Sequence, residues 1–473
     1  MLRTDVRTED GKLTKAGIRM VGIIIAGGFI TVLNQLVMSP ALPAVMAELG
    51  ITPAVGQWLT SIFLLVNGLM VPVTAYLIDR FTSRQIFTFA MIAFAAGSVV
   101  AALSSGFAML LIGRIMQAIG AGVMLPFSSV TLMRIFPKER RGFALGLAGI
   151  VIGLAPAFGP AFAGYMVDEY GWRYIFSVIA PLAIVVCIIA LVWLQNLGER
   201  KETKLDWLSV GMSTVAFGGL LFGFSTAGSR GWVHPLTYIP IIVGAVMLIF
   251  FVRRQLKSVR PLLNLRILRN PVFSVSTILS AIVSAGMTVG AVLTPIYLQN
   301  VQGFSALHSG LLLMPGAIIM AIMSLVSGAM FDRFGPRIPA IIGLSVLTGG
   351  SLMLSFLGVH STYLYVCIAY SLRSLGIAMV NMPVNTWGIN QLPNSMIAHG
   401  NAINNTARQV SGSIGTAILV TVMTIVAASW GSPGIAAATE GVNAAFLGSS
   451  ALMAAGLILA IFKVKGSRDG KDR

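Results

Sequence analysis

Long apolar runs alternate with short polar breaks fourteen times along the 473 residues of this chain. A helix needs about 20 mostly apolar residues to cross a bilayer. Runs of that kind fall near 18 to 38, 57 to 78, 86 to 104, 108 to 133, 143 to 165, 174 to 195, 208 to 226 and 237 to 252. Six more fall near 272 to 298, 308 to 330, 338 to 357, 362 to 388, 406 to 428 and 442 to 462. Lipid offers a backbone N–H or C=O no partner, and the runs are far too long for barrel strands, so helices are the only way to satisfy them. Only 10% of the residues are charged, against about a quarter in an average soluble protein. The expected fold is an all-α polytopic membrane protein with fourteen transmembrane helices.

A net charge of +17 would suggest nucleic acid as the partner of a soluble chain,. Its distribution gives another reading. With Arg19 and Arg408 taken at span edges, the N-terminal tail, the even-numbered loops and the C-terminal tail hold 28 of the 32 Lys and Arg residues. The odd-numbered loops hold only Arg173 and Arg230. That asymmetry predicts that both termini lie in the cytoplasm, and the expected location is a bacterial inner (plasma) membrane. The lipid bilayer is then the partner of the basic surface, and no nucleic acid is expected. Cys187 and Cys367 lie among apolar residues in mid-span, which points to neither a disulfide nor a metal,. No cofactor is expected, and the first apolar run reads as a retained span.

The chain also repeats itself. Asp79-Arg80-Phe81-Thr82-Ser83-Arg84 follows the second span and Asp332-Arg333-Phe334-Gly335-Pro336-Arg337 follows the tenth; both read D-R-F-x-x-R. Two spans after each, an arginine interrupts apolar sequence: Arg114 and Arg373. The matched order implies duplicated bundles with a substrate site between them near the midplane. The expected organisation is a tail over 1–17, a six-helix bundle over 18–197, an inserted two-helix segment over 198–270, a second six-helix bundle over 271–463 and a tail over 464–473.

Asp79 and Asp332 end spans at the cytoplasmic face, where a carboxylate can accept hydrogen bonds from a helix N-terminus and pair with arginines. With Arg80, Arg84, Arg333 and Arg337 they form a candidate conformational gate. A mid-helix arginine costs at least about 2.5 kcal/mol on insertion scales and usually faces a cavity or a partner. Arg114 and Arg373 are therefore candidate substrate or coupling residues, together with the intramembrane amides Asn34, Asn67, Gln117, Asn381 and Asn385.

These stretches carry a resemblance to a known family. Leu33-Asn34-Gln35 followed by Ala41-Leu42-Pro43, the loop from Ala75 to Arg84, and Arg114-x-x-Gln117-Ala118-x-Gly120-Ala121-Gly122-x-x-x-Pro126 resemble signatures of the fourteen-span drug:proton antiporter branch of the major facilitator superfamily. Gly159-Pro160-x-x-Ala163-Gly164 is similar to its antiporter motif, and Trp172-Arg173-Tyr174-Ile175-Phe176 to the stretch that follows. The chain looks most like the subgroup associated with lincosamide and multidrug resistance. The resemblance implies the major facilitator fold, two six-helix bundles plus two inserted central helices. It also implies alternating-access efflux of small amphipathic molecules, drugs or antibiotics, coupled to protons, by a monomer for which no periplasmic adaptor is indicated. Export of an endogenous metabolite or lipid-like compound is the alternative within the same fold. This sequence departs from the family pattern at Asn34, where the branch usually has Asp, and at Ala75 and Thr82, where the loop element usually has glycine.

Rival functions find little to stand on. His234, His308, His360 and His399 lack zinc-ligand spacing, and Gly11-Lys12-Leu13 and Gly470-Lys471-Asp472 lack the phosphate-loop pattern, so neither a membrane enzyme nor an ATP-driven pump is expected,. A channel or a sensor would have no use for duplicated gating loops. All fifteen acidic residues are expected in tails, loops or span ends. A cavity bearing arginine and no acid should favour neutral, zwitterionic or anionic amphiphiles over permanent cations.

Overall fold

The computed structural model describes residues 13–56, 58–197, 206–258, 261–430 and 434–464. Among them are fourteen long helices. The first six are α1 (Lys15–Leu36), α2 (Trp58–Arg80), α3 (Ser83–Ala102), α4 (Phe107–Ile135), α5 (Arg141–Tyr170) and α6 (Trp172–Trp193). Two more, α7 (Trp207–Arg230) and α8 (Pro235–Lys257), precede the last six. These are α9 (Pro271–Ile296), α10 (Ala306–Phe334), α11 (Arg337–Met353), α12 (Tyr363–Asn390), α13 (Ile397–Ser429) and α14 (Ile435–Lys463). Thirteen are long and apolar enough to cross a membrane, and α5 carries the remaining expected run.

Helices start where the sequence offers an acceptor to the unpaired N–H groups of the first turn. Thr14 accepts from Gly17, Ser305 from His308 and Thr362 from Tyr365. Asn270 accepts from Val272 and Phe273, with Pro271 in the first turn, where its missing N–H costs nothing,. Thr82 and Gln85 form a reciprocal capping box at the start of α3,.

Two starts differ from expectation. α13 begins at Ile397 and not near 406, and α14 begins at Ile435 and not near 442. The first of these polar stretches reads as a loop in sequence, yet Asn401 and Asn404 are buried against protein, which satisfies a helix as well as apolar residues would. Arg408 consequently lies inside α13 and not at a span edge. A short helix, Met38–Leu49, also follows α1.

Within each group of six, helices pack mainly on one another, and the groups meet chiefly where α5 lies along α10. Small residues permit that approach: Gly146, Gly149 and Gly153 of α5 lie against Ser324 and Ala321 of α10,. α7 packs against α2 of the first group and α13 of the second, whereas α8 packs mainly on α7 and turns Ile242, Val246, Ile249 and Phe250 outward. The inserted pair is thus joined to both groups through its first helix.

Candidate functional site

A central cavity of about 400 Å³ lies between the two groups. Its wall is mostly aliphatic, with Ile24, Leu64, Leu125, Val151 and Met287 among the lining residues. To the polar part of the wall α13 contributes Asn405, Arg408 and Gln409, which with Gly412 recur at the three- and four-residue spacing that aligns side chains on one helix face,. Gln409 Nε2 donates to Asn67 Oδ1 of α2 at 3.4 Å, joining the two groups across the cavity. α7 completes the wall with Leu221, Phe222 and Ser225. Phe222 stacks on Trp58 of α2, with ring centres 5.3 Å apart. Among the described residues, no Asp or Glu lines the cavity.

Of the seven expected substrate or coupling residues, the structure brings Asn67 and Asn385 to the cavity wall. Asn34, Arg114, Gln117, Arg373 and Asn381 are buried among helices and do not line it. Arg114 serves packing: its guanidinium donates to the carbonyls of Leu59 and Asn34 and to Gln117 Oε1, and it lies over the Phe63 ring at 4.3 Å. Arg373 repeats the pattern in the second group, donating to Ser351 Oγ and to the Gly286 carbonyl of α9. Asn34 has no hydrogen-bond partner for its side-chain amide among the described residues, and neither does Nη2 of Arg114.

The D-R-F loops lie at one end of the cavity, where each acid reaches the opposite group. Asp332 accepts from the backbone N–H groups of Gly142 and Phe143, in the first turn of α5, at 2.9 and 3.0 Å. The carboxylate thus meets the positive end of a helix whose free amides seek acceptors. Asp79 lies 3.6 Å from His399 Nε2, in the first turn of α13. Arg141 adds two cross-group bonds, to Asn390 Oδ1 and Asn394 Oδ1. The remaining gate candidates, Arg80, Arg84, Arg333 and Arg337, are exposed at this end.

At the opposite end, Glu48 accepts from Trp172 Nε1 at 2.7 Å and pairs with Arg173, which also lies over the Trp172 ring. The neighbouring Arg173 holds the Glu48 carboxyl below the usual carboxylate range. Of the antiporter motif, Gly159 lets α5 approach α1, since a Cβ there would lie 3.1 Å from Leu36. Gly164 faces open space, and the Pro160 side chain lies outside the described residues.

Sequence reasoning missed Arg408, Gln409, Asn405 and Glu48 as structural contacts. The polar residues of α13 at helical spacing were the available signal for the first three.

Residues 24–416 match the profile of the Major Facilitator Superfamily. The MFS-type transporter YcnB of Bacillus subtilis (strain 168) is 42% identical over 455 residues, covering 96% of each chain. The lincomycin resistance protein LmrB of Listeria innocua is 36% identical over 453 residues, 94% of this chain and 96% of the relative. In fold the chain is similar to the human organic anion transporter MFSD10, with a TM-score of 0.68 at 15% identity over 94% of this chain and 99% of the other.

Proposed function

Since the chain belongs to the Major Facilitator Superfamily and is a membrane transporter, we propose that it is a secondary active exporter of small amphipathic molecules, running on proton influx. The observation that carries this reading is the closure of one end of an amphipathic cavity by two acids, each reaching the first turn of a helix in the opposite group. Contacts of that kind break when the groups rock apart and reform when they return, which is what alternating access requires. The Lys and Arg asymmetry makes this closed end cytoplasmic in a bacterial plasma membrane, with both termini on the same side. In this reading the moving bodies are 18–197 and 271–463, the segment 198–270 accompanies them, and the working unit is a monomer.

With no carboxylate on the cavity wall among the described residues, the pair Asp79 and His399, 3.6 Å apart across the two groups, carries the coupling proton. A proton there changes the attraction that holds α13 to the first group, and so couples titration to closure. The test uses cells deleted for their own efflux pumps, expressing the wild type or Asp79→Asn, and follows accumulation of lincomycin and a panel of amphipathic dyes. Accumulation lower in the wild type, restored by collapsing the proton gradient and by Asp79→Asn, is the expected result. Equal accumulation with and without expression across the panel would refute export.

A further inference from the structure

Among the described residues, Arg408 is the one cationic side chain on the cavity wall. It differs from the two buried arginines of the bundles. Arg114 and Arg373 each donate to backbone carbonyls and to neighbouring polar side chains, although Nη2 of Arg114 is unpaired among the described residues. The Arg408 guanidinium makes no hydrogen bond, ion pair or ring contact among the described residues; only its backbone carbonyl is engaged, accepting from Ser284 Oγ at 2.9 Å. A guanidinium at membrane depth is costly, and such residues face a partner or a water-filled cavity. Here the cavity is present and the protein partner is not.

We propose that Arg408 receives a fixed negative charge on the substrate, so that the cavity selects amphiphiles bearing a carboxylate or sulfonate. The proposal rests on the reading of the cavity as the transport site. Five N–H donors in a planar fork match a carboxylate or sulfonate in a way that an ammonium or an amide cannot. Gln409 and Asn405 flank the guanidinium on the same helix face and offer neutral donors for the remaining oxygen atoms,. The aliphatic wall across α1, α2 and α4 takes the apolar body. A volume of about 400 Å³ suits one small amphiphile,. No acid lies on the wall among the described residues, so a permanent cation would enter beside an unneutralised positive charge,.

Two probes share an apolar body and differ in charge: anilinonaphthalene sulfonate and the uncharged phenylnaphthylamine. Their binding is measured by equilibrium dialysis against the full chain in lipid nanodiscs, with empty nanodiscs subtracted. The wild type should bind the sulfonate about tenfold more tightly than the amine, the value of one charge-assisted hydrogen bond. Arg408→Gln should remove that preference and leave the amine unchanged, while Arg408→Lys should keep most of it. An unchanged melting temperature shows that the variants fold, and the amine itself reports an intact cavity. Wild type that binds both probes equally, or Arg408→Gln that weakens both equally, overturns the role of Arg408 and leaves the cavity reading standing. Wild type that binds neither probe overturns both. Displacement of the sulfonate by millimolar chloride would make Arg408 a site for a free inorganic anion and overturn the proposal in that direction; no displacement is expected.

Discussion

Asp332 and Gly142 lie on opposite sides of the interface between the two helix groups, and the carboxylate of one accepts the backbone N–H of the other at 2.9 Å. The second carboxylate oxygen accepts from Phe143, so one side chain holds two amides of the first turn of α5. Hydrogen bonds to a charged acceptor contribute about 1.5 to 3 kcal/mol each. Removing the charge while keeping the shape should therefore weaken closure without unfolding either group.

Asp332→Asn is expected to move the population toward separation of the D-R-F end by about tenfold or more. Spin labels at Phe89 of α3 and Ile342 of α11, both exposed on the outer faces, would read this as growth of a longer distance in pulsed dipolar spectra. A distance distribution identical to the wild type would refute the latch.

Gly328 of α10 packs so closely on α5 that an added Cβ would press into the Gly142 carbonyl oxygen. Neither backbone can yield without moving a whole helix. Gly328→Ala should cost the closed arrangement about 1 to 3 kcal/mol and slow transport, with the amount of protein in the membrane unchanged. Transport at the wild-type rate would show that the helices have slack the structure does not suggest.

Arg114→Met should lower stability by at least about 2 kcal/mol, since it strips bonds from the Leu59 carbonyl and Gln117 and leaves them buried,. Asn34→Asp should act in the opposite sense. It replaces an unpartnered amide with a carboxylate on the residue whose carbonyl already accepts from Arg114, whose guanidinium has one nitrogen unpaired, a gain on the order of 1 kcal/mol,. Thermal melting of the purified variants checks both, and a lower melting temperature for Asn34→Asp would contradict the second.

Asp206 caps α7 through Ser209 and pairs with Arg254 of α8 at 3.0 Å, tying the inserted helices together. Burial would raise its carboxyl, but hydrogen bonds from Arg254 and Ser209 outweigh that and hold it at about 2. A carboxyl depressed from an unfolded value of about 3.9 contributes its full stability above that pH and loses it as pH falls toward 2. Fluorescence of Trp207, in a variant with no other tryptophan, should stay constant from about pH 8 to pH 5 and change only in strong acid. Asp206→Asn should shift it at neutral pH. A wild-type transition near pH 6 would assign the tie to a different group.

The helical architecture was readable because lipid enforces it, and the duplicated D-R-F loops located the interface between the groups. What could not be read was which polar residues face which neighbour. Arg114 and Arg373 interrupt apolar sequence and Arg408 reads as a span edge, but the first two bond to backbone carbonyls and the third opens on the cavity. That difference depends on helix rotation, which spacing alone does not set. The two loops differ for a reason visible only in the backbone. Gly335 stands at φ 76°, where a side chain is disfavoured, whereas Thr82 stands at φ −74° and caps α3,. The first loop could exchange its glycine for threonine, and the second could not.

The placement of α7 alters what kind of object this carrier is. Leu221, Phe222 and Ser225 belong to the wall of the chamber, and α7 touches α2 on one side and α13 on the other. Cutting out the hairpin would take Leu221, Phe222 and Ser225 from the wall that Asn67 and Gln409 also line. The inserted segment holds both groups by named contacts: Phe222 of α7 stacks on Trp58 of the first group, and Trp232, just after α7, donates to Thr421 of the second.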